Sequence, residues 1–288
     1  MSREIKSPDK PVTAARSFDD KHTIAFNEGS HRYKWTCECH KKASAVGTTT
    51  FLKGGYPVSQ QLINWMKGQT ASALFTALTV PGDSGYYPRE GFWPVTEEMR
   101  KDLFKEAVTA HEKVAQTAAD IGTITHGYAE LDSLGKRDEA EALLAQVKGT
   151  TAYSLIEACI VKYKEWALTN RGVLVSAEGL IASPRHQYCG KFDRLDRVAG
   201  RLILRDYKTS KGIYVDHMMQ MAAYAIAIEE WLGYHVDAYE ILRFGKDDGT
   251  FETLLIDDVE TMTMLKAQVI RCRQTYDFKK LENDKRFS

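Results

Sequence analysis

Two aspartates and a lysine in the stretch QYCGKFDRLDRVAGRLILRDYKTS carry the densest chemistry of the chain. A two-residue turn centred on Ala199-Gly200 sets Val198 opposite Arg201, and counting outward sets Asp193 opposite Asp206. Directly opposed residues of an antiparallel ladder hold their Cβ atoms about 4.5–5.5 Å apart on one face. Two bare carboxylates repel at that distance. A divalent cation removes the conflict, because hard cations favour clustered carboxylate oxygens. Lys208 lies two residues beyond Asp206, so strand alternation sends it to the same face. Leu202 and Leu204 share that face and make it partly buried. The competing reading is a plain surface ion pair between Asp206 and Lys208.

Three further positions bear on that choice. Glu178 sits in the otherwise apolar strand VLVSAEGLIAS, where its carboxylate is either paired or coordinated, or points to solvent. His126 lies in the helix-like AADIGTITHGYAELD, next to Gly122 and Gly127. A histidine among small residues suits a ligand approached closely by another element; an ordinary polar histidine is the alternative. Gln220 and Tyr224 in HMMQMAAYAIAIEE are four apart and share a helix face, beside a packing stripe of Met221, Ala222 and Ala225. They read equally as the polar boundary of an amphipathic helix.

These residues need a scaffold. Residues 1–20 have little apolar content and read as a flexible arm. Residues 21–288 read as one domain: 21–170 form a hairpin and a helical wall, and 171–288 an α/β core. HTIAFNEGSHRYKW (22–35) is a short hairpin turning at Asn27, Glu28 and Gly29. Helical patterning follows from Ser59, with Leu62, Trp65 and Met66, then Ala73, Leu74 and Leu78. A Gly/Pro-rich loop occupies 81–94, and Thr96 with Glu97 and Glu98 opens another helix. After a helix over 151–169 the period changes. Strands are expected at 173–182, 187–197 and 201–208, a helix at 213–232, strands at 236–244 and 251–256, and a C-terminal helix.

Composition narrows the function classes. The 39 basic and 39 acidic residues cancel, which argues against coating nucleic acid by net charge but leaves room for a local basic groove. No apolar run is long enough to span a bilayer, and the N-terminus has no signal-peptide core. Five cysteines without framework spacing suggest reduced thiols in a cytoplasmic setting. Cys37-x-Cys39-His40, with His31 upstream, could hold zinc, although the spacing is tight and no second Cys pair follows. Tyr86, Tyr87, Phe92 and Trp93 around Arg89 could stack single-stranded bases, or pack on their own helices. Thr48, Thr49 and Thr50 offer hydroxyls to phosphate or simply favour a strand, and Arg185 with His186 lies at a turn beside the presumed site.

Taken in order, GTITH, Glu178, GKFD, DYKT and QMAAY resemble the PD-(D/E)xK nuclease superfamily, in its RecB-like branch. The match spans 122–224. The early HTIAFNEGSHRYKW…AVGTTTFL segment looks like nucleases similar to the mitochondrial genome maintenance exonuclease and its phage relatives. The resemblance implies a mixed central sheet flanked by helices. It implies that His126, Asp193, Asp206 and the backbone carbonyl of Tyr207 ligate Mg²⁺ or Mn²⁺, with Glu178 assisting. Lys208 would orient the attacking water, and Gln220 and Tyr224 would position the lysine and the substrate. The implied activity is a DNA exonuclease preferring single strands and leaving 5′-phosphate ends, acting in the cytoplasm, a phage-encoded one in that of its host. Alternatives are a double-strand exonuclease or structure-specific endonuclease on the same core, and a catalytically silent nucleic-acid-binding protein. Only Cys272 follows the core, so the iron–sulfur cluster of many RecB-like nucleases is not expected.

Overall fold

The computed structural model describes residues 12–40, 44–55, 122–150, 152–170, 172–245 and 249–282. The chain divides into two compact units, Met1–Tyr56 with Ile121–Ser288, and Pro57–Asp120. The helices expected from Ser59 and Thr96, and the aromatic loop 81–94 between them, lie outside the described residues.

Among the described residues, the first unit holds a nine-stranded mixed sheet. Strands β1 (Val12–Arg16), β2 (Thr23–Asn27), β3 (Arg32–Trp35) and β4 (Ser44–Gly47) form an antiparallel meander. Helix α1 (Thr48–Gly55) follows directly, so Thr48, Thr49 and Thr50 open a helix rather than extend a strand. Residues 122–133 are helical (α2), followed by α3 (Arg137–Gln146) and α4 (Tyr153–Asn170). Then come β5 (Val173–Ser183), β6 (Tyr188–Val198), β7 (Arg201–Thr209), α5 (Val215–Leu232), β8 (Ala238–Phe244), β9 (Phe251–Ile256) and α6 (Val259–Glu282). The strand order is β1-β2-β3-β4-β6-β7-β8-β9, with β5 on β6.

One expectation fails at the N-terminus. Val12–Arg16, inside the expected flexible arm of 1–20, is a strand that pairs with β2 from Val12–Asn27 to Arg16–Thr23. Pairing uses backbone groups that every non-proline residue carries, and Ala15 adds apolar contact with the core.

Two helical layers cover the sheet. On one face Phe51 and Leu52 of α1, the length of α5, and Met262, Leu265 and Val269 of α6 pack on Leu202, Leu204, Tyr239 and Ile241. On the other, Tyr128, Ala140, Ile156 and Tyr163 from α2, α3 and α4 pack on Tyr207, Leu242 and Phe244. Consecutive residues of β7 therefore serve opposite layers. Helix α5 links the parallel strands β7 and β8, a connection that needs a crossover rather than a tight turn. Its residues Met221–Ile228 are all buried, as an almost continuously apolar helix must be. It stops at Gly233, whose φ of 70° suits a glycine C-cap. None of the described helices is long and apolar enough to cross a membrane.

Candidate active site

The turn at Ala199-Gly200 has φ of 48° and 84°, the left-handed pair of a two-residue hairpin turn. Val198 pairs with Arg201, and the ladder runs back to Arg194–Arg205. There it stops. One step further stand Asp193 and Asp206, in the register expected from the sequence. The Tyr207 N–H, which has lost its partner strand on that side, donates to Asp193 Oδ2 at 2.8 Å. Strand β7 continues on its other side with β8, pairing Asp206 with Ile241 and Lys208 with Arg243. Strand β6 meets β4 only at Tyr188 and Cys189. The sheet therefore forks along residues 190–193, and Asp193 sits at the fork.

Glu178 extends the same row. Ala177 pairs with Arg194 and Gly179 with Phe192, so Glu178 stands opposite Asp193 on the third strand. Its φ of 53° is left-handed. For a non-glycine residue that costs about 1–2 kcal/mol, a strain that persists only where the surroundings impose it. Glu178, Asp193 and Asp206 thus line up across three neighbouring strands.

Two lysines balance this row. Lys208 is ion-paired with Asp206, and Lys191 Nζ is 2.5 Å from Glu178 Oε2. Asp206 is 1% exposed, and burial pushes its carboxyl above the usual range; the nearby Asp193 charge adds to the rise while Lys208 opposes it. Asp206 Oδ2 is buried and makes no well-aligned hydrogen bond, although the ammonium lies beside it. Burial likewise raises Glu178, against the pull of Lys191.

Helices close the site from two sides. His126 on α2 places Nδ1 3.8 Å from Asp193 Oδ2, and its ring meets Tyr207 edge-on at 5.9 Å. The two flanking glycines have separate reasons. A Cβ at Gly122 would stand 2.6 Å from Thr209 Oγ1, and one at Gly127 2.9 Å from Leu143 Cδ2. Both let α2 approach its neighbours closely. On α5, Gln220 Nε2 donates to the Tyr224 hydroxyl at 2.7 Å, and burial together with the Asp206 charge holds that phenol well above its usual pKa. Gly190 admits Tyr224 to β6, since a Cβ there would stand 2.7 Å from its ring.

Three residues escaped the sequence reading. Lys191 partners Glu178 across β5 and β6. Glu130, one turn after His126 on α2, feels Lys191 and the Asp193 charge, and burial raises its pKa; the four-residue spacing from His126 was its available signal. His217 on α5 senses Lys208 and Asp206, and burial lowers its pKa to about 4. Among the weaker candidates, Thr48 is spent on the Cys189 carbonyl at 2.9 Å. Arg185 and His186 line a cavity of about 800 Å³ together with Arg32, Arg273 and Lys280.

The donor types, three carboxylates and one imidazole, are those a hard divalent cation takes. Among the described residues, however, no three of these donor atoms stand within 4.8 Å of one another, and Asp206 Oδ2 is held by the Lys208 ammonium. The family model of the PD-(D/E)XK nuclease superfamily matches residues 100–282, and the chain belongs to that superfamily. It is thus a hydrolase fold acting on nucleic acids, in a superfamily that typically uses divalent metal ions. Solved structures similar to it include a provisionally named exonuclease from Eubacterium rectale, at 11% identity over 77% of this chain and 87% of that one, with a TM-score of 0.37. Another, SSO0001, shares 13% identity over 73% of this chain and 85% of that one, with a TM-score of 0.25. Likenesses this distant carry no functional argument. No curated protein sequence matches.

Proposed function

We propose that the chain is a Mg²⁺- or Mn²⁺-dependent deoxyribonuclease, an exonuclease that prefers single-stranded DNA and leaves 5′-phosphate ends. The observation that carries this reading is the row Glu178–Asp193–Asp206 at the fork, with Lys208 paired to Asp206. His126, Asp193, Asp206 and the Tyr207 carbonyl would hold the cation, with Glu178 assisting. When bound, the cation supplies charge neutralisation and a more acidic water at neutral pH.

The side chains have separate tasks. Lys208, as an ammonium, donates hydrogen bonds to the attacking water and to a non-bridging phosphate oxygen, where negative charge grows as phosphorus becomes five-coordinate. The water attacks in line as the P–O3′ bond breaks. One of its protons passes through solvent to the departing 3′ oxygen, the other stays on the new phosphate, and that phosphate remains on the 5′ side. The Gln220–Tyr224 pair on α5, whose phenol feels the Asp206 charge, would position the lysine and the substrate backbone. The cationic cavity at Arg32, Arg185 and Lys280 offers charge for the substrate backbone.

End-labelled single strands, duplexes and closed circles, incubated with Mg²⁺ or Mn²⁺, test the reading. Single strands should be degraded from an end, and Asp206→Ala and Lys208→Ala should lose about 10²–10³-fold in rate. Rapid cutting of circles overturns the exonuclease assignment, preference for duplex overturns the single-strand assignment, and full activity in either variant overturns the site.

A further inference from the structure

Four donor side chains meet at the open end of the β2–β3 hairpin. Ile24 pairs with Trp35, so the same register carried two steps outward sets His22 against Cys37. Cys39 and His40 follow as the chain leaves β3. One donor atom from each of His22, Cys37, Cys39 and His40 lies within 4.8 Å of the other three. His22 Nδ1 is 3.1 Å from Cys39 Sγ, and His40 Nδ1 is 2.9 Å from Cys37 Sγ and 3.4 Å from Cys39 Sγ. A tetrahedral zinc site with Zn–S near 2.3 Å and Zn–N near 2.0–2.1 Å holds its donor atoms about 3.3–3.8 Å apart. Three of the six separations stand at 2.9–3.4 Å and the others within 4.8 Å, so small side-chain shifts bring the four groups to that spacing.

The surroundings hold them there. The His40 ring stacks flat on Trp35, with centroids 3.8 Å apart and planes 6° apart, and Trp35 is buried near Trp231. The Thr36 N–H donates to the Thr23 carbonyl at 2.9 Å, and the two threonine hydroxyls bond at 2.7 Å. His31, the upstream histidine that could have joined Cys37, Cys39 and His40, lies at the opposite end of the hairpin against Phe26. His22 takes its place.

We propose that His22, Cys37, Cys39 and His40 bind one zinc ion as a closed structural site, made of residues distinct from the carboxylate row. Two sulfurs and two imidazoles select zinc, whereas the oxygen donors of the carboxylate row suit Mg²⁺ or Mn²⁺. Four protein donors complete a tetrahedron and leave no position for water, so the ion has a structural and not a catalytic task. On binding, the two thiols each release a proton to solvent and the imidazoles bind as neutral bases, so the thiolate charges cancel that of the ion. The ion ties the start of β2 to the segment that leads from β3 into β4. Strand β4 in turn is the one that pairs with β6 beside the fork.

The experiment uses the full chain, produced without a histidine tag in zinc-supplemented medium and purified under reducing conditions. Elemental analysis should find one zinc per chain. Cys37→Ser/Cys39→Ser and, as a milder change, His22→Asn should lose it, while Asp193→Asn/Asp206→Asn should keep it. Cobalt added to the metal-free chain should give the visible bands of a tetrahedral ion and a thiolate charge-transfer band. Zinc well below one per chain, zinc retained in full by the cysteine variant, or a Cys37–Cys39 disulfide persisting under reductant overturns the proposal. Zinc lost from the aspartate variant assigns the ion to the carboxylate row and overturns it too.

Discussion

Asp193 Oδ2 accepts the Tyr207 N–H at 2.8 Å, one step past the last backbone pair between β6 and β7. A side chain replaces a main-chain acceptor where the two strands part. The carboxylate is therefore aimed by the backbone, with the His126 ring 3.8 Å from the same oxygen.

This double duty separates two substitutions. Asp193→Asn can keep the bond to Tyr207 through its amide oxygen while losing the charge, so activity should fall about 10²-fold or more with little change in stability. Asp193→Ala also leaves the Tyr207 N–H unpaired, at a cost of about 1–3 kcal/mol. Urea unfolding beside a single-strand digestion assay checks both. Equal stability losses in the two variants would refute the bond as an anchor.

Asp206 is harder to ionise in the folded chain than in the unfolded one. A group with a raised pKa stabilises the fold at low pH, and that contribution is lost as pH rises through its folded value. Metal-free Asp206→Asn should therefore melt no lower than wild type at neutral pH, and the gap should close on acidification below the usual carboxylate range. Added Mg²⁺ or Mn²⁺ should stabilise wild type more than the variant. Thermal melts in chelator at two pH values test this, and a variant that melts lower at neutral pH contradicts it.

Lys191 holds down the pKa that burial raises at Glu178. Lys191→Ala removes that pull, so Glu178 needs a higher pH to ionise. The acid limb of the kcat/KM profile should move to higher pH, with only a modest loss on the plateau. An unmoved limb would mean that ionised Glu178 is not needed.

Asp196 is fully buried between Arg194, whose Nε is 2.6 Å away, and Arg205, which also binds Glu240. Asp196→Ala leaves two guanidinium groups short of charge, and should cost about 3–5 kcal/mol in unfolding free energy. The folded fraction should keep its nuclease rate. A loss under 1 kcal/mol in urea would contradict this account.

The acidic row was legible because one tight turn fixes the register. With Ala199-Gly200 as the turn, Asp193, Asp206 and Lys208 follow by counting, and the observed ladder has that register. Glu178 was visible as a carboxylate in an apolar strand, but its left-handed backbone and its tie to Lys191 depend on a second pairing that no local pattern encodes. His217 and Glu130 reach the site through helix placement, which is a tertiary matter. Strand β1 was missed because its pairing rests on backbone groups and little apolar content. His22 was missed for a different reason. Its place opposite Cys37 is encoded across the hairpin and not along the chain.

The two aspartates come together through a hairpin that spans 14 residues from Asp193 to Tyr207. Bringing in His126 closes a loop about five times as long, a difference of about 1.5 kcal/mol in chain entropy. Hairpins of this kind form within about 1–10 μs, well before distant elements dock. The carboxylate pair thus rests on the shorter closure and the imidazole on the longer one. On the reading proposed above, the pair Asp193 and Asp206 needs only its hairpin, whereas bringing His126 beside it needs the docking of α2.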